Sequence, residues 1–338
     1  PIAWRQRIAQ SGDILWRSHP VDTGPLVVLG EDTGIRAFLA VDGQVVWEYR
    51  EQARWLGTPL AVQDRIIVTS WEGDILALGS EDGRPLWRAR QACAIPPSQP
   101  CATDEGVIIG GMKRDGIWDG SVTCYDLQTG AVCWSHRYDH PYFATPLYAD
   151  GRIWITCGDR VQCLEAATGQ AIWTYHPEHF SLYGRPVIAQ GRLFAPDIDG
   201  WTYVLDPHSG AFLGSYLLPR GTGLAADRTT LYAACGMRGL RAYDALTLDE
   251  LWCVHRPGTY FAGYPSLRSS DLIAAASDGN VYIVDQQSGK VDWSFQLGNI
   301  GGATVAVDGE RAYLVSGDGE LVAFACPVHA GGQDRRED

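Results

Sequence analysis

Three segments of this 338-residue chain combine histidine or arginine with clustered aromatic rings, and each segment ends at a proline. The segments are His140 to Pro146, His179 to Pro186 and Thr259 to Pro265. Histidine titrates near neutrality and can act as a general acid or base, and arginine can hold a carboxylate as a bidentate donor. The candidate catalytic residues are therefore His179, Arg185 and His140.

The aromatic rings around these groups form a candidate binding wall. Aromatic walls with a few convergent polar groups are typical of small-molecule sites. A ten-residue insertion, Gly111 to Gly120, is expected to form a long loop beside them. The candidate binding residues are Trp55, Trp71, Trp118, Tyr142, Phe143, Phe180, Tyr183, Arg238, Tyr260, Phe261 and Tyr264. The alternative, in which the rings only plug the interior of the fold, is equally consistent with the sequence.

An internal repeat supplies the elements that must position these residues. A tryptophan follows a turn glycine by four residues at Gly12–Trp16, Gly43–Trp47, Gly83–Trp87, Gly130–Trp134, Gly169–Trp173 and Gly289–Trp293. Gly210–Gly214 lacks the tryptophan, and Leu248–Trp252 lacks the glycine. Successive anchors lie 31 to 47 residues apart, which is the interval expected of a four-stranded propeller blade.

Each repeat contains short strand-like runs, most clearly at Pro59–Val62, Arg65–Thr69, Asp74–Leu78 and Pro85–Ala89. One further repeat is divided between the chain ends: Ile14–Trp16 would supply its fourth strand, and Gly302–Val307, Arg311–Ser316 and Glu320–Ala325 the first three. Such closure leaves no open array with two free sheet edges. The sequence thus predicts an all-β fold, an eight-bladed β-propeller of four-stranded antiparallel blades. A single domain over residues 1–328 and a polar, disordered tail at 329–338 are expected.

The recurrent residues are interpreted as structural. A ring at one frame in nearly every repeat occupies the same position in each blade, so the tryptophans are packing anchors. Asp197-Ile198-Asp199-Gly200 lacks the distal glutamate of a calcium loop and is predicted to be a hairpin turn. The cysteines and histidines show no zinc spacing, so no metal site is predicted.

Composition limits the partners and the compartment. The formal net charge is −13 and the basic residues are scattered, which argues against a nucleic-acid surface. No run of about 18 apolar residues occurs, so membrane insertion is not expected. The nine cysteines are an odd number, mostly on predicted strands, and this usage favours reduced thiols in the cytoplasm.

The pattern in Tyr125-Asp126-Leu127-Gln128-Thr129-Gly130…Trp134 and in Val284-Asp285-Gln286-Gln287-Ser288-Gly289…Trp293 resembles the PQQ-like β-propeller repeat family over nearly the whole chain. Members include quinoprotein alcohol dehydrogenases and BamB-type assembly scaffolds, and the resemblance implies eight tryptophan-docked blades. The quinoprotein enzymes hold their cofactor with an adjacent Cys-Cys pair, which this chain lacks, so no cofactor is expected. BamB-type proteins are periplasmic lipoproteins. Because neither a lipidation leader nor an N-terminal cysteine is seen, a cytoplasmic relative is expected.

Two classes of function remain open. The chain is either a binding or scaffolding module, with a small molecule or peptide at the central funnel or a protein partner on the same face, or a metal- and PQQ-independent enzyme. The enzyme would be of lyase, isomerase or cyclase type, using histidine acid–base catalysis in the funnel. The lack of any catalytic signature favours the first class, and the convergence of histidine, arginine and aromatic residues favours the second.

Overall fold

The structure is a computed structural model, and it describes residues 2–326 apart from 9–19, 32, 52, 54, 56, 92–98, 105, 114–118, 141–143, 179–181, 183, 219–222, 262, 299–304 and 308–309. The described elements are all strands, in eight four-stranded antiparallel sheets that form a ring. The predicted eight-bladed propeller is confirmed. The expected tail at 329–338 lies outside the described residues.

The first strand of the chain, β1 (Ile2–Arg7), belongs to the last blade. Blade 1 consists of β2 (Val21–Asp22), β3 (Leu26–Glu31), β4 (Gly34–Leu39) and β5 (Val45–Arg50). Blade 2 consists of β6 (Leu60–Val62), β7 (Arg65–Thr69), β8 (Asp74–Gly79) and β9 (Pro85–Arg90). Blade 3 consists of β10 (Cys101–Ala102), β11 (Val107–Lys113), β12 (Asp119–Tyr125) and β13 (Val132–Tyr138). Blades 4 and 5 consist of β14 (Leu147–Ala149), β15 (Arg152–Cys157), β16 (Arg160–Glu165), β17 (Ala171–Tyr175); and β18 (Val187–Ala189), β19 (Arg192–Pro196), β20 (Trp201–Leu205), β21 (Phe212–Leu217).

Blades 6 and 7 consist of β22 (Gly223–Ala226), β23 (Thr230–Ala234), β24 (Leu240–Asp244), β25 (Glu250–Val254); and β26 (Ser266–Arg268), β27 (Asp271–Ala275), β28 (Asn280–Asp285), β29 (Val291–Gln296). Blade 8 combines β30 (Ala306–Val307), β31 (Arg311–Val315) and β32 (Glu320–Ala325) with β1. Within each blade the middle strands carry most of the buried apolar side chains, as in β3 and β8, which are buried throughout. The short inner strands are mostly half-buried, because they line the central channel.

The chain ends close the ring as predicted, but with a different N-terminal strand. β1 pairs antiparallel with β32, and Trp4 of β1 is buried and donates its indole N–H to Ala40 O at 2.9 Å. The prediction that Ile14–Trp16 closes the ring is therefore wrong, and residues 9–19 lie outside the described part of the chain. Trp4 has no glycine four residues before it. The strands β32 and β1 are the two ends of the chain, so the hairpin turn that carries this glycine in other blades does not join them.

The repeated tryptophans lock neighbouring blades together. At six junctions a tryptophan of one blade packs on the turn glycine of the next: a Cβ added at Gly130 would lie 2.5 Å from the ring of Trp87, and one at Gly169 would lie 2.5 Å from Trp134. The indole N–H groups donate to the carbonyl three residues before that glycine, as in Trp87 to Leu127 O at 2.8 Å. The interpretation of these tryptophans as packing anchors is confirmed.

The two degenerate repeats share one junction. Gly214 of β21 pairs with Val204 and so occupies the anchor position of blade 5. The residue that this anchor would contact is the turn residue of blade 6, which is Leu248. The missing tryptophan and the missing glycine are therefore the two halves of a single contact.

Two local predictions can be compared with the observed strands. Five of the ten residues of the predicted loop Gly111 to Gly120 continue the β11–β12 ladder, which reaches Lys113 and Asp119, and residues 114–118 lie outside the described part of the chain. The long-loop prediction is wrong for these paired residues, because the hairpin satisfies their main-chain groups. The Asp197 segment forms the predicted hairpin turn, in which its carboxylate accepts the main-chain amide of Trp201 at 2.7 Å.

Candidate functional site

The candidate residues lie on one face of the ring, called here the loop face. In a four-stranded antiparallel blade, the loops that lead into the inner strand and the loops between the second and third strands emerge on the same side. The two kinds of loop contact each other. Leu182 and Gly158 exchange main-chain hydrogen bonds of 3.0 Å, and so do Phe261 and Gly236, at 3.0 and 3.1 Å.

One position in the loops that lead into the inner strands is buried in each blade where it is described. It lies four residues before a proline that directly precedes the inner strand, and the residues there, Trp55, Leu182 and Phe261, are all fully buried. Trp55 packs in the cluster around Trp47, edge-on to Tyr49. Trp55 and Phe261 were expected to line a binding wall, but their burial leaves no ring surface for a ligand. Their size fills the gap where the loop crosses the blade.

A second position, directly before the same proline, surrounds the channel axis. The residues there are Thr58, Gln99, Thr145, Arg185 and Tyr264. The channel holds a cavity of about 640 Å³ lined by residues of blades 4 to 7. Arg185 and Tyr264 lie at its loop-face end, and Asp150, Pro207 and His208 lie at turns of the opposite face. Sequence reasoning missed Thr58, Gln99 and Thr145, although their position before an inner-strand proline was a usable signal.

Arg185 is the most unusual residue of this site. Its Nε is buried without a hydrogen-bond partner, and no carboxylate of the described residues forms a salt bridge with it. Burial raises the pKa of Tyr264, and the neighbouring Arg185, through its main-chain amide and its charge, opposes this shift. Burial also raises the pKa of Cys101, on blade 3, to about 11, while the Arg185 charge opposes this shift. Both neighbours are therefore neutral near pH 7 and leave the arginine charge uncompensated.

A half-buried guanidinium whose Nε is buried without a hydrogen-bond partner favours an anion. Buried charges are normally paired, because desolvation costs several kcal/mol per ion. Arginine also matches the planar geometry of a carboxylate with two parallel hydrogen bonds. The arrangement can therefore bind a carboxylate that enters the channel from the loop face.

The remaining candidates do not converge on Arg185. His140 packs its side chain against Gly158, and its carbonyl accepts the thiol of Cys157 at 3.5 Å. Tyr260 lies over Gly236 and is partly exposed, Arg238 is exposed, and Trp71 lies half-buried in the turn after β7. The other predicted residues lie outside the described part of the chain: His179, Trp118, Tyr142, Phe143, Phe180 and Tyr183. Of the candidate set, the structure brings together Arg185 and Tyr264.

The chain is similar to known propellers along almost its whole length. The family described as "Outer membrane protein assembly factor BamB" matches residues 2–117, 118–234, 158–299 and 236–327. A protein of that name from Shewanella oneidensis is 21% identical over 96% of this chain and 89% of its own length, and one from Burkholderia pseudomallei is 20% identical over 94% and 77%. The crystal structure of BamB from Moraxella catarrhalis superposes with a TM-score of 0.75 at 17% identity, covering 97% of this chain and 99% of its own.

The expected cytoplasmic location is wrong, because these relatives are named as assembly factors of the outer membrane. The expectation rested in part on the odd number of cysteines and their place on predicted strands. Cys157 and Cys163 are buried, and burial raises their thiol pKa to about 12 and about 11. Such thiols serve as small apolar side chains and are unreactive in any compartment. Within the described residues, no helix is long and apolar enough to cross a membrane.

Proposed function

The chain belongs to the BamB family of outer membrane protein assembly factors, and we propose that it is a scaffold of that assembly which binds a protein partner on its loop face. The named relatives are assembly factors, and this supports a protein partner. Family membership gives the class of function, and the geometry of the channel mouth supports the place of contact.

The observation that carries the proposal is the uncompensated charge of Arg185. The side chain lines the loop-face end of the channel together with Tyr264, so a partner that covers the loop face places its own groups there. A carboxylate of the partner, from Asp, Glu or the chain terminus, then pairs with the guanidinium. The pair is shielded from water inside the interface, so removing the arginine has a large effect on binding.

Complementation tests this proposal. Deleting the gene in its source organism should reduce the amount of assembled outer membrane protein, and a plasmid copy should restore it. The variant Arg185→Glu should fail to restore it, because two acidic groups then face each other. Arg84→Glu is the matched control, since Arg84 is exposed in a turn on the opposite face. Both variants should melt close to the wild-type temperature.

The two parts of the proposal can fail separately. If the deletion leaves the outer membrane proteins unchanged, the role in assembly is wrong. If Arg185→Glu restores them as well as the wild type does, the partner does not bind at Arg185. A thermal shift with small dicarboxylates, lost in Arg185→Glu, together with full complementation would instead identify a small-molecule carboxylate site.

A further inference from the structure

The junction between blades 5 and 6 differs from the other described junctions in lacking an anchor. At the junction of blades 2 and 3, Trp87 packs among Ile67, Ile75, Val107 and Tyr125. The equivalent residues of blades 5 and 6, together with Tyr216 and Leu248, surround a cavity of about 180 Å³. This cavity, called here the 5–6 groove, is lined by Phe194, Thr202, Tyr216, Leu217, Leu218, Leu231, Tyr243 and Leu248.

A main-chain acceptor at this junction also lacks its usual donor. At six other junctions the indole N–H of the anchor binds the carbonyl three residues before the turn residue, as in Trp134 to Ala166 O and Trp252 to Gln286 O. The corresponding carbonyl here is that of Ala245, which is fully buried. No donor from the described residues reaches it. A buried carbonyl without a donor is uncommon and costs stability.

The strand beside the groove is an unprotected edge. β21 is the outermost strand of blade 5, so its outer main-chain groups are unpaired. It carries no charged side chain, whereas β9 carries Arg88 and Arg90. Its exposed apolar residues include Leu213 and Leu217, the latter 67% exposed. Uncharged, apolar edge strands are templates for pairing with an additional strand.

We propose that the 5–6 groove binds a tryptophan carried by an extended segment of another protein, which pairs antiparallel with β21. The indole fills the cavity and donates its N–H to Ala245 O, and the partly exposed Leu248 side chain turns aside to admit it. Tryptophan is preferred because its ring is a large apolar body that also carries a donor. The proposal is independent of Arg185, which lies at the channel axis.

Charge determines which partner fits. The chain carries a formal net charge of −13, so two copies repel each other. Exposed acids lie at the groove: Asp249 follows Leu248, and the next residue, Glu250, is paired with Arg241. A segment whose tryptophan is flanked by lysine or arginine is therefore complementary, and a second copy of this chain is disfavoured.

A labelled peptide tests the proposal directly. The probe is a fluorescein-labelled Lys-Thr-Val-Thr-Trp-Thr-Val-Thr-Lys, and binding is followed by fluorescence anisotropy. Replacing its tryptophan by alanine should weaken binding about ten-fold or more, because buried tryptophans dominate such interfaces. Replacing its lysines by glutamate should also weaken binding, and this loss should shrink at high salt.

Protein variants locate the site. Leu217→Lys places a charge on the exposed edge and should weaken the peptide about ten-fold without changing the melting temperature. Val132→Lys is the matched control, because Val132 is similarly exposed, at 58%, on β13, where Trp134 fills the junction. The double variant Gly214→Trp/Leu248→Gly rebuilds the missing intramolecular anchor. It should melt at a higher temperature and lose peptide binding.

Three results would overturn the proposal. The first is no saturable binding up to about 1 mM peptide, which corresponds to only about 4 kcal/mol. The second is equal binding of the tryptophan and alanine peptides, or equal binding by wild type and Leu217→Lys. The third is a dimer in light scattering that Leu217→Lys dissociates, since a second copy would then occupy the edge.

Discussion

At the scale of single residues, the stabilising unit of six blade junctions is a tryptophan and the glycine on which it packs. The glycine serves two purposes, because its φ is positive and because its missing Cβ makes room for the ring. Gly169 has φ 71° and contacts Trp134, whereas Gly191 has φ 65° and nothing within 4 Å of an added Cβ. Comparing the two glycines therefore separates the cost of a positive φ, which both share, from the cost of a clash with the ring, which only Gly169 would have.

We predict that Gly169→Ala destabilises the protein more than Gly191→Ala does. Both variants carry the cost of a left-handed alanine, about 1–2 kcal/mol. Only Gly169→Ala also displaces the Trp134 ring, which adds about 1–3 kcal/mol of overpacking. Urea unfolding followed by tryptophan fluorescence measures both. Equal losses would show that the ring tolerates the methyl group and that the glycine is needed for its φ alone.

The role of a residue could be predicted from the sequence where a pattern repeats. It could not be predicted where the role depends on whether the side chain is buried. The anchors were recognised because one frame recurs, and a recurring frame implies equivalent places. Trp55 and Phe261 were predicted to line a binding site, but both are fully buried. The sequence does not show that this loop position is covered by a neighbouring loop. Arg185 and Tyr264 were selected together with residues that lie elsewhere, because loop sequence does not specify which side chains reach the axis.

At the scale of elements, four of the turns between third and fourth strands are fixed by an aspartate that accepts several hydrogen bonds. Asp126 accepts the hydroxyl and amide of Thr129 at 2.6 and 2.8 Å, and Asp206 is bound in the same way by Ser209 at 2.8 and 2.7 Å. These bonds lower the pKa of both carboxyls. The pKa of Asp244 is lowered in the same way by hydrogen bonds from the main-chain amides of Thr247 and Leu246.

These turns predict the acid sensitivity of the fold. A lowered folded-state pKa stabilises the protein above the unfolded pKa, near 4, and that contribution is lost as the pH falls through the folded pKa. The free energy of unfolding should therefore decrease from about pH 5 downwards, and the triple variant Asp126→Asn/Asp206→Asn/Asp244→Asn should decrease less. Because the carboxyls are exposed, each effect is small. Urea unfolding at several pH values measures the slopes, with Glu81→Gln as a control, and identical slopes would contradict this origin.

Strands were predicted well because short apolar runs alternate with turn residues. In blade 2 the observed bounds differ from the predicted ones by at most one residue. The ladder of β11 and β12 was taken for a loop, since its glycines resemble turn signals while its hydrogen bonds come from the partner strand. Pairing between strands is a property of the sheet, and a single segment does not display it.

At the scale of the whole molecule, stability depends on closing the ring. β1 supplies the fourth strand of blade 8, its Trp4 packs on Gly43 of blade 1, and Arg5 pairs with Glu320. The count of eight blades followed from the repeat interval, and it also required the two ends to meet. Which N-terminal segment makes the contact could not follow from the repeat frame, because the opened hairpin has no turn glycine.

The closing strand provides the last prediction. Trp4→Ala should cost about 3–5 kcal/mol, as expected for truncating a large buried aromatic residue, and its loss also leaves the carbonyl of Ala40 without its donor. Trp16→Ala, the anchor favoured by the repeat frame, should cost much less. Because β1 joins the two ends of the chain, its loss should also speed unfolding more than it slows folding, provided that ring closure follows blade formation. Stopped-flow unfolding in urea measures both rates. If Trp16→Ala proves the more damaging of the two, the ring is closed by a segment other than Ile2–Arg7.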